Sequence, residues 1–283
     1  MSSATPLATL YDISTRPPAS KTCCSPNPTK ARLALNFKDI PHVTRWVQMP
    51  DIPTVRRGLG LEACRKFADG TDFYTLPIVT DPSTGAVVGD SFDIAAYLQS
   101  TYPNAGAGDL FPEQDLSYEF PENLPLLVPL SDHTGKPHPS YALFAAKVDA
   151  TFTAHTQLTV GGFPFDPASE AASRVEFARR AMVPQLEVLT LTGDSRERAM
   201  KTFEDTLGVL AAMLKRDPSG PFLLGKRASY ADLVIVGWLR MFWGTLRKEE
   251  WERLCKWHDG GFGRLYEAVD EAWGAVREEV VVV

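Results

Sequence analysis

The sequence predicts an α+β domain followed by an all-helical domain. The 283 residues correspond to about two domains at roughly 150 residues each. Seventeen of the 22 prolines precede residue 140, whereas five of the six tryptophans follow residue 237. Short β-type stretches occur in the first hundred residues, and helical spacing of apolar residues prevails after Ser140. These three observations indicate that the two halves are built differently.

The chain begins with a predicted strand, helix and strand. Residues 9–13 form a short β-type stretch, and a polar, turn-rich segment follows it. Pro28 suits the first position of a helix, and it disfavours the α region for Asn27, which we therefore expect to be the N-cap. Residues 43–47 alternate between apolar and polar side chains, as in a half-buried strand.

A β-hairpin and a helix complete the predicted first domain. Residues 51–73 are polar and irregular. The stretches 76–80 and 86–88 are apolar and are joined by a turn rich in Pro, Ser and Gly, which favours a hairpin. A helix is expected to begin at Asp90 and to stop before Pro103.

A proline-rich segment separates this unit from the helical half. Residues 104–139 contain six prolines and no periodic pattern, which is typical of a connector between domains. We therefore expect a first domain at 1–103 and a helical domain at 140–283. Within the latter, Ser229 and Asp232 form a predicted capping box at the start of a helix.

Composition excludes several classes of function. The net charge of −6 argues against a general nucleic-acid binder, which needs a basic surface. Four cysteines without paired spacing give no zinc site and no disulfide framework. We expect no membrane span, because the longest apolar run near the end is far shorter than about 20 residues. No secretory signal is visible, so a cytoplasmic location is expected.

Several motifs together resemble the glutathione transferase family. They are Ser25-Pro-Asn-Pro-Thr-Lys-Ala-Arg-Leu-Ala-Leu-Asn-Phe-Lys38 at the start of the first long helix, Pro50-Asp-Ile52, Leu76-Pro77 at the hairpin, the Asp90-Ser91 helix start and the Ser-Tyr-Ala-Asp capping box. The resemblance covers both halves and implies a thioredoxin-like first domain. It is greatest for the fungal and bacterial etherase-related branch with a Ser-type active site, and it extends to members from fungal secondary-metabolite pathways.

The resemblance implies that Ser25 stabilises the thiolate of glutathione. A free thiol has a pKa near 8.5, so a hydroxyl donor at a helix N-terminus must favour the anion. Cys24 is a rival, because a cysteine at a helix N-terminus can be a nucleophile of low pKa. In that case the protein would be a thiol transferase that forms mixed disulfides with glutathione.

The family also implies where the rest of glutathione binds. Leu76 would pair its backbone with the cysteinyl part, beside a cis peptide bond at Pro77. Asp90 and Ser91 would bind the γ-glutamyl group at a helix N-terminus. The glycine carboxylate needs a cation or backbone donors; as cations the sequence offers Lys38, Arg56, Arg57, Arg65 and Lys66 without choosing among them.

A second, apolar substrate is expected against the helical domain. Phe144, Val148, Phe152 and His155 fall on one helical stripe that could line its pocket, with Trp243 as a further candidate. The expected reaction is addition of the glutathione thiolate to an apolar electrophile, or a glutathione-dependent cis-trans isomerisation. A non-catalytic glutathione-binding regulator is an alternative. Because members of the family it resembles are commonly dimers, we expect a homodimer.

Overall fold

The computed structural model describes residues 7–119, 126, 130–131 and 134–277. The elements of the first domain, in chain order, are β1 (Ala8–Ile13), α1 (Ala19–Thr22), α2 (Pro26–Phe37), β2 (His42–Val47), α3 (Ile52–Gly58), β3 (Arg65–Lys66), β4 (Asp72–Phe73), β5 (Ile78–Asp81), β6 (Ala86–Gly89) and α4 (Ser91–Thr101).

A four-stranded mixed sheet with the order β2-β1-β5-β6 forms the centre of the first domain. β1 pairs parallel with β2, and β5 pairs antiparallel with both β1 and β6. The parallel pair is connected through α2, as a parallel connection requires. The peptide bond between Leu76 and Pro77 is cis. This arrangement confirms the predicted thioredoxin-like α+β domain.

The start of α2 differs from the sequence prediction. The N-cap is Ser25 and not Asn27, and Pro26 and Pro28 both lie in the first helical turn. Both prolines fit there because the first-turn N–H groups have no partner within the helix. The preference of a residue before proline for extended backbone thus does not prevent Asn27 from being helical.

The second domain is built of helices, as predicted. They are α5 (Pro139–Thr153), α6 (Glu170–Arg180), α7 (Gly193–Thr206), α8 (Gly208–Leu214), α9 (Tyr230–Thr245) and α10 (Lys248–Trp273). α10 is interrupted at residues 257–260, which leave helical geometry. The Ser229–Asp232 capping box is present at the start of α9. Among the described residues, no helix is long and apolar enough to span a membrane.

The two domains share one hydrophobic core, in which α2 packs closely on α9. A Cβ atom on Gly237 would lie 2.5 Å from Cγ of Lys30, and one on Gly244 would lie 2.6 Å from Cβ of Cys24. Larger residues at either glycine would therefore push the helices apart. The same core includes Leu10 of β1 and Phe242 of α9. This close packing fixes the N-terminal turn of α2 against the helical domain.

Candidate active site at the domain interface

A cavity of about 180 Å³ opens between the two domains beside the start of α2. The first domain contributes Ser25, Asn27, Thr75 and Leu76, and the second contributes residues of α5, α6 and α9. Most of its wall is apolar: Ile13, Met49, Phe73, Val160, Phe163, Phe177, Leu189, Trp238 and Met241. A few polar groups in an apolar cleft between domains are typical of a small-molecule site.

Ser25 lies at this cavity with a hydroxyl that does not cap its helix. Its carbonyl oxygen accepts the N–H of Thr29 at 3.1 Å, but its side chain makes no capping hydrogen bond. An N-cap side chain normally accepts from the second or third helical N–H, and Pro28 at the third position has none. The hydroxyl is therefore available to a group in the cavity.

Cys24 does not have the environment of the reactive cysteine that its position in the sequence suggested. Its side chain is fully buried and packs against Gly244 of α9. Burial raises the pKa of the Cys24 thiol far above its usual value, and the neighbouring Cys23 adds to this. Cys23 is buried as well, and its carbonyl oxygen accepts from Arg240 Nε at 3.2 Å. This environment disfavours the thiolate.

Leu76 lies at the cavity wall just before β5. Pairing of β5 with β1 begins at Ile78, so the backbone of Leu76 lies outside this ladder. Its side chain is buried. The position of Leu76 thus matches the predicted one, next to the cis bond at Pro77 and within the same cavity as Ser25.

Asp90 and Ser91 are buried at the start of α4. Asp90 is the N-cap: its Oδ1 accepts the N–H of Phe92 at 2.9 Å. Its Oδ2 accepts from the hydroxyl of Ser131 at 2.9 Å, and that hydroxyl in turn accepts from Arg65 Nε at 3.0 Å. A described residue of the connector thus contacts the carboxylate that the resemblance assigns to the amino group of glutathione.

Lys38 does not lie near the cavity, and this part of the prediction is corrected. It is the C-cap of α2, so the length of the helix, about 18 Å, separates it from Ser25. Its buried Nζ donates to Gln99 Oε1 and to the carbonyl oxygens of Pro103 and Gly108, at 2.7 to 3.1 Å. An ammonium has three donors. Lys38 therefore holds the start of the connector by hydrogen bonds and is not a ligand for a carboxylate.

The other four predicted cations differ in whether they line the cavity. Arg65 lines the cavity. Arg56 is buried and donates to the carbonyl oxygens of Glu62 and Thr75. The remaining two lie outside the cavity wall: Arg57 stacks on Tyr74, and Lys66 pairs with Asp72 at the surface. Of the five, Arg65 is the one that the structure brings to the cavity.

The predicted stripe on α5 packs into the core and not along the cavity. Phe144, Val148 and Phe152 are each at most 1% exposed, and Phe152 stacks on Trp238 at 5.7 Å. The stripe is the most apolar face of the helix, and the core of the helical domain buries it. The prediction chose the wrong face, because the cavity is lined by a neighbouring face of α5.

His155 and Trp243 are likewise outside the cavity wall. His155 is buried, stacks on Phe203 and shares a hydrogen bond between Nδ1 and the carbonyl oxygen of Thr151 at 2.9 Å. Burial lowers the pKa of His155, which favours the neutral ring. Trp243 is 37% exposed and is covered by the guanidinium of Arg240. These placements correct both assignments to a substrate pocket.

The polar residues along and just after α5 were not predicted from the sequence as part of the site. Asp149, Thr153 and Thr156 recur at helical spacing and line the cavity. Asp149 forms a buried ion pair with Lys30 of α2 and accepts the indole N–H of Trp238 at 2.7 Å. A carboxylate within a predicted apolar helix was the available signal, because such a residue needs a buried partner.

Comparison with known proteins agrees with this architecture. Residues 24–101 match the model of the glutathione S-transferase N-terminal domain, and residues 164–273 match that of the C-terminal domain. The glutathione S-transferase-like protein ustS of Aspergillus flavus is 28% identical over an alignment of 273 positions that covers 91% of this chain and 88% of ustS.

Two solved structures are similar to this chain over nearly their whole length. Glutathione transferase GSTFuA3 from Phanerochaete chrysosporium has a TM-score of 0.76 and 25% identity, covering 99% of this chain and 100% of the other. Glutathione S-transferase CsGST63524 of Ceriporiopsis subvermispora, solved in complex with glutathione, has a TM-score of 0.72 and 28% identity, with 94% and 98% covered.

The fold and the cavity define a two-domain protein in which a thioredoxin-like domain and a helical domain enclose one cavity. The two family models together match about two thirds of the chain and lie in the order that the structure shows. The chain belongs to the glutathione S-transferase family.

Proposed function

We propose that the protein binds glutathione on the first domain and transfers its thiolate to an apolar electrophile in the cavity. The observation that carries this proposal is the position of Ser25, whose hydroxyl makes no capping bond and belongs to a residue of the cavity wall. The relative from Ceriporiopsis subvermispora, solved in complex with glutathione, supports the choice of the tripeptide.

Ser25 would act by donating a hydrogen bond to the sulfur of glutathione. Lowering the pKa of a thiol by two units requires about 2.7 kcal/mol. One charge-assisted hydrogen bond supplies roughly 1.5–3 kcal/mol, and the N-terminal end of α2 adds a favourable dipole. This pair of effects is therefore large enough to populate the thiolate at neutral pH.

The remaining parts of glutathione would extend along the first domain. The backbone of Leu76 would pair with the cysteinyl residue, and Asp90 with Ser91 would bind the γ-glutamyl group. The hydroxyl of Ser131 contacts Asp90, so the amino group of glutathione would share or replace that contact. Of the five cations predicted from the sequence, Arg65 lines the cavity; its Nε donates to the Ser131 hydroxyl that contacts Asp90, so Arg65 would lie beside the γ-glutamyl group.

The apolar wall of the cavity supports an apolar second substrate. The thiolate would attack an electrophilic carbon there, the C–S bond would form, and a proton from water would complete the adduct. Collapse of the adduct instead would return the thiolate and allow a double bond to change from cis to trans. We include this isomerase variant, and a role in fungal secondary metabolism, because of the resemblance described above. We also expect a cytoplasmic homodimer.

Two matched variants test the proposal. Ser25→Ala should lower kcat/KM for conjugation of 1-chloro-2,4-dinitrobenzene by about 10- to 100-fold, because the thiolate loses its hydrogen bond. Cys24→Ala, its neighbour in the buried turn, should leave kcat/KM within about threefold. Calorimetry should show that both variants still bind glutathione.

Other outcomes identify the alternatives. Glutathione binding without turnover of any electrophile in the unmodified protein would favour the regulator and contradict the transferase. Removal of glutathione from a mixed disulfide, lost in Cys24→Ser and kept in Ser25→Ala, would favour the thiol transferase. The burial of Cys24 speaks against that second outcome.

A further inference from the structure

Arg180 ends α6 and lines the cavity from the side of the helical domain. Its side chain is 13% exposed, and its Nε donates to Glu176 Oε1 at 2.9 Å. Its Nη2 is buried and has no hydrogen-bond partner among the described residues. A guanidinium presents five N–H donors, and an unpaired buried donor is costly.

The charges around Arg180 leave room for an anion. Glu176 is shared by two guanidinium groups, because Arg179 Nε also donates to its Oε2 at 2.8 Å and Arg179 Nη2 to its Oε1 at 2.9 Å. One carboxylate thus faces two cations. Arg65 lies on the same side, since the guanidinium groups of Arg65 and Arg180 both stack on Phe73, at 5.8 and 5.0 Å.

The negative group in the cavity wall is already compensated. Asp149 pairs with the buried Lys30 and accepts the indole N–H of Trp238. The wall of the cavity that Arg180 lines is mostly apolar and includes Phe163, Phe177 and Leu189. A carboxylate on an apolar body would match this combination, because the guanidinium binds carboxylates through two parallel N–H donors.

We propose that Arg180 binds a carboxylate of the second substrate, so that the electrophile is an apolar carboxylic acid. This inference rests on the proposed function, because it names the class of substrate for the same cavity. A carboxylate could also come from the glycine of glutathione. Arg180 belongs to the helical domain, and the cavity that it lines has a mostly apolar wall, which favours the second substrate as the source.

The test compares two unreactive ligands that differ in one group. Calorimetry measures the Kd of 2-naphthylacetate and of 2-naphthylacetamide, with S-methylglutathione saturating the glutathione site. The unmodified protein should bind the acetate at least about tenfold more tightly, as expected for a charge-assisted pair. In Arg180→Met this preference should disappear, while the Kd of the amide stays within about twofold.

Arg179→Met is the matched control, because it removes the neighbouring cation outside the cavity and should keep the preference. Neither variant leaves Glu176 without a cation, since the other arginine still pairs with it. If Arg180→Met does not fold, Arg180→Lys replaces it, and there the preference for the acetate should fall at least about threefold, because the planar pair of donors is lost.

Three results would overturn the inference. Equal affinity of the unmodified protein for acetate and amide would show that the cavity has no carboxylate site. A preference that persists in Arg180→Met would assign it to another cation. A weaker Kd for glutathione itself in Arg180→Met would identify the glycine carboxylate as the ligand. Failure of S-methylglutathione to bind would instead contradict the proposed function. The Kd values of the two naphthyl ligands, measured without S-methylglutathione, would still show whether Arg180 binds the carboxylate.

Discussion

Two prolines determine what Ser25 can do. With Pro26 and Pro28 in the first turn, α2 begins without the N–H that a serine N-cap often uses. The same residue type at Ser229 forms a capping box with Asp232 at the start of α9, and its hydroxyl also accepts from Gln114 Nε2 at 2.8 Å. Identical side chains at two helix starts thus have different roles, one as a cap and the other as a free donor at a cavity.

Asp232 is the second residue whose chemistry depends on its surroundings. Its oxygens accept the N–H of Leu223 and both the N–H and the hydroxyl of Ser229, at 2.8 to 3.0 Å. Burial nevertheless raises the pKa of Asp232 to about 6. Between about pH 4 and pH 6 the folded chain keeps a proton that the unfolded chain has released. The contribution of Asp232 to stability therefore decreases as the pH rises through this range.

Asp232→Asn isolates this dependence, because asparagine does not titrate. Urea unfolding of both proteins from pH 4 to pH 7 gives the difference in their free energy of unfolding. We expect the advantage of the unmodified protein to shrink up to about pH 6 and then to stay constant. An advantage that grows with pH would show that the carboxyl has a lowered pKa in the folded state.

At the scale of elements, the packing of α2 on α5 and α9 brings the parts of the site together. Lys30 projects from α2 between Asp149 of α5 and Trp238 of α9, and Gly237 makes space for its stem. The ion pair is buried on both sides. It orients the N-terminal turn of α2, which carries Ser25 and Asn27, toward the helical domain.

Breaking this pair should cost far more than breaking one at the surface. Lys30→Met leaves the Asp149 carboxylate buried without its cation, so the free energy of unfolding should fall by about 3–5 kcal/mol. Lys30→Met/Asp149→Leu should recover only part of the loss, because the buried indole N–H of Trp238 then loses its acceptor. Lys66→Met is the control, because Lys66 pairs with Asp72 at the surface, and its cost should be a small fraction of that of Lys30→Met. Equal losses for Lys30→Met and Lys66→Met in urea unfolding would refute the assigned role.

Helices and strands could be predicted from the sequence where the local residue pattern was clear. The strands near residues 9–13 and 43–47, the hairpin and the helix at Asp90 have local sequence signals and are observed at nearly those positions. The cap of α2 was misassigned because the rule for a residue before proline weakens within the first helical turn. The pocket face of α5 was missed because apolar periodicity marks the face toward the core, which is a different face.

At the scale of the whole molecule, the cavity depends on how two domains meet, which local signals do not encode. Arg180 and Leu189 lie more than a hundred residues after Ser25, yet all three line the same wall. The connector also returns to the first domain, where Ser131 contacts Asp90. Between residues 102 and 138, the described positions form neither helix nor strand, so composition indicated a connector but not its contacts.

The location of the glutathione sulfur tests the central claim most directly. A crystal structure of the protein with bound glutathione should place the sulfur within hydrogen-bond distance of Ser25 Oγ, with the tripeptide along Leu76 and toward Asp90. The open side of the sulfur should face the apolar part of the cavity. A sulfur that lies away from Ser25, or that is bonded to Cys24, would contradict the account.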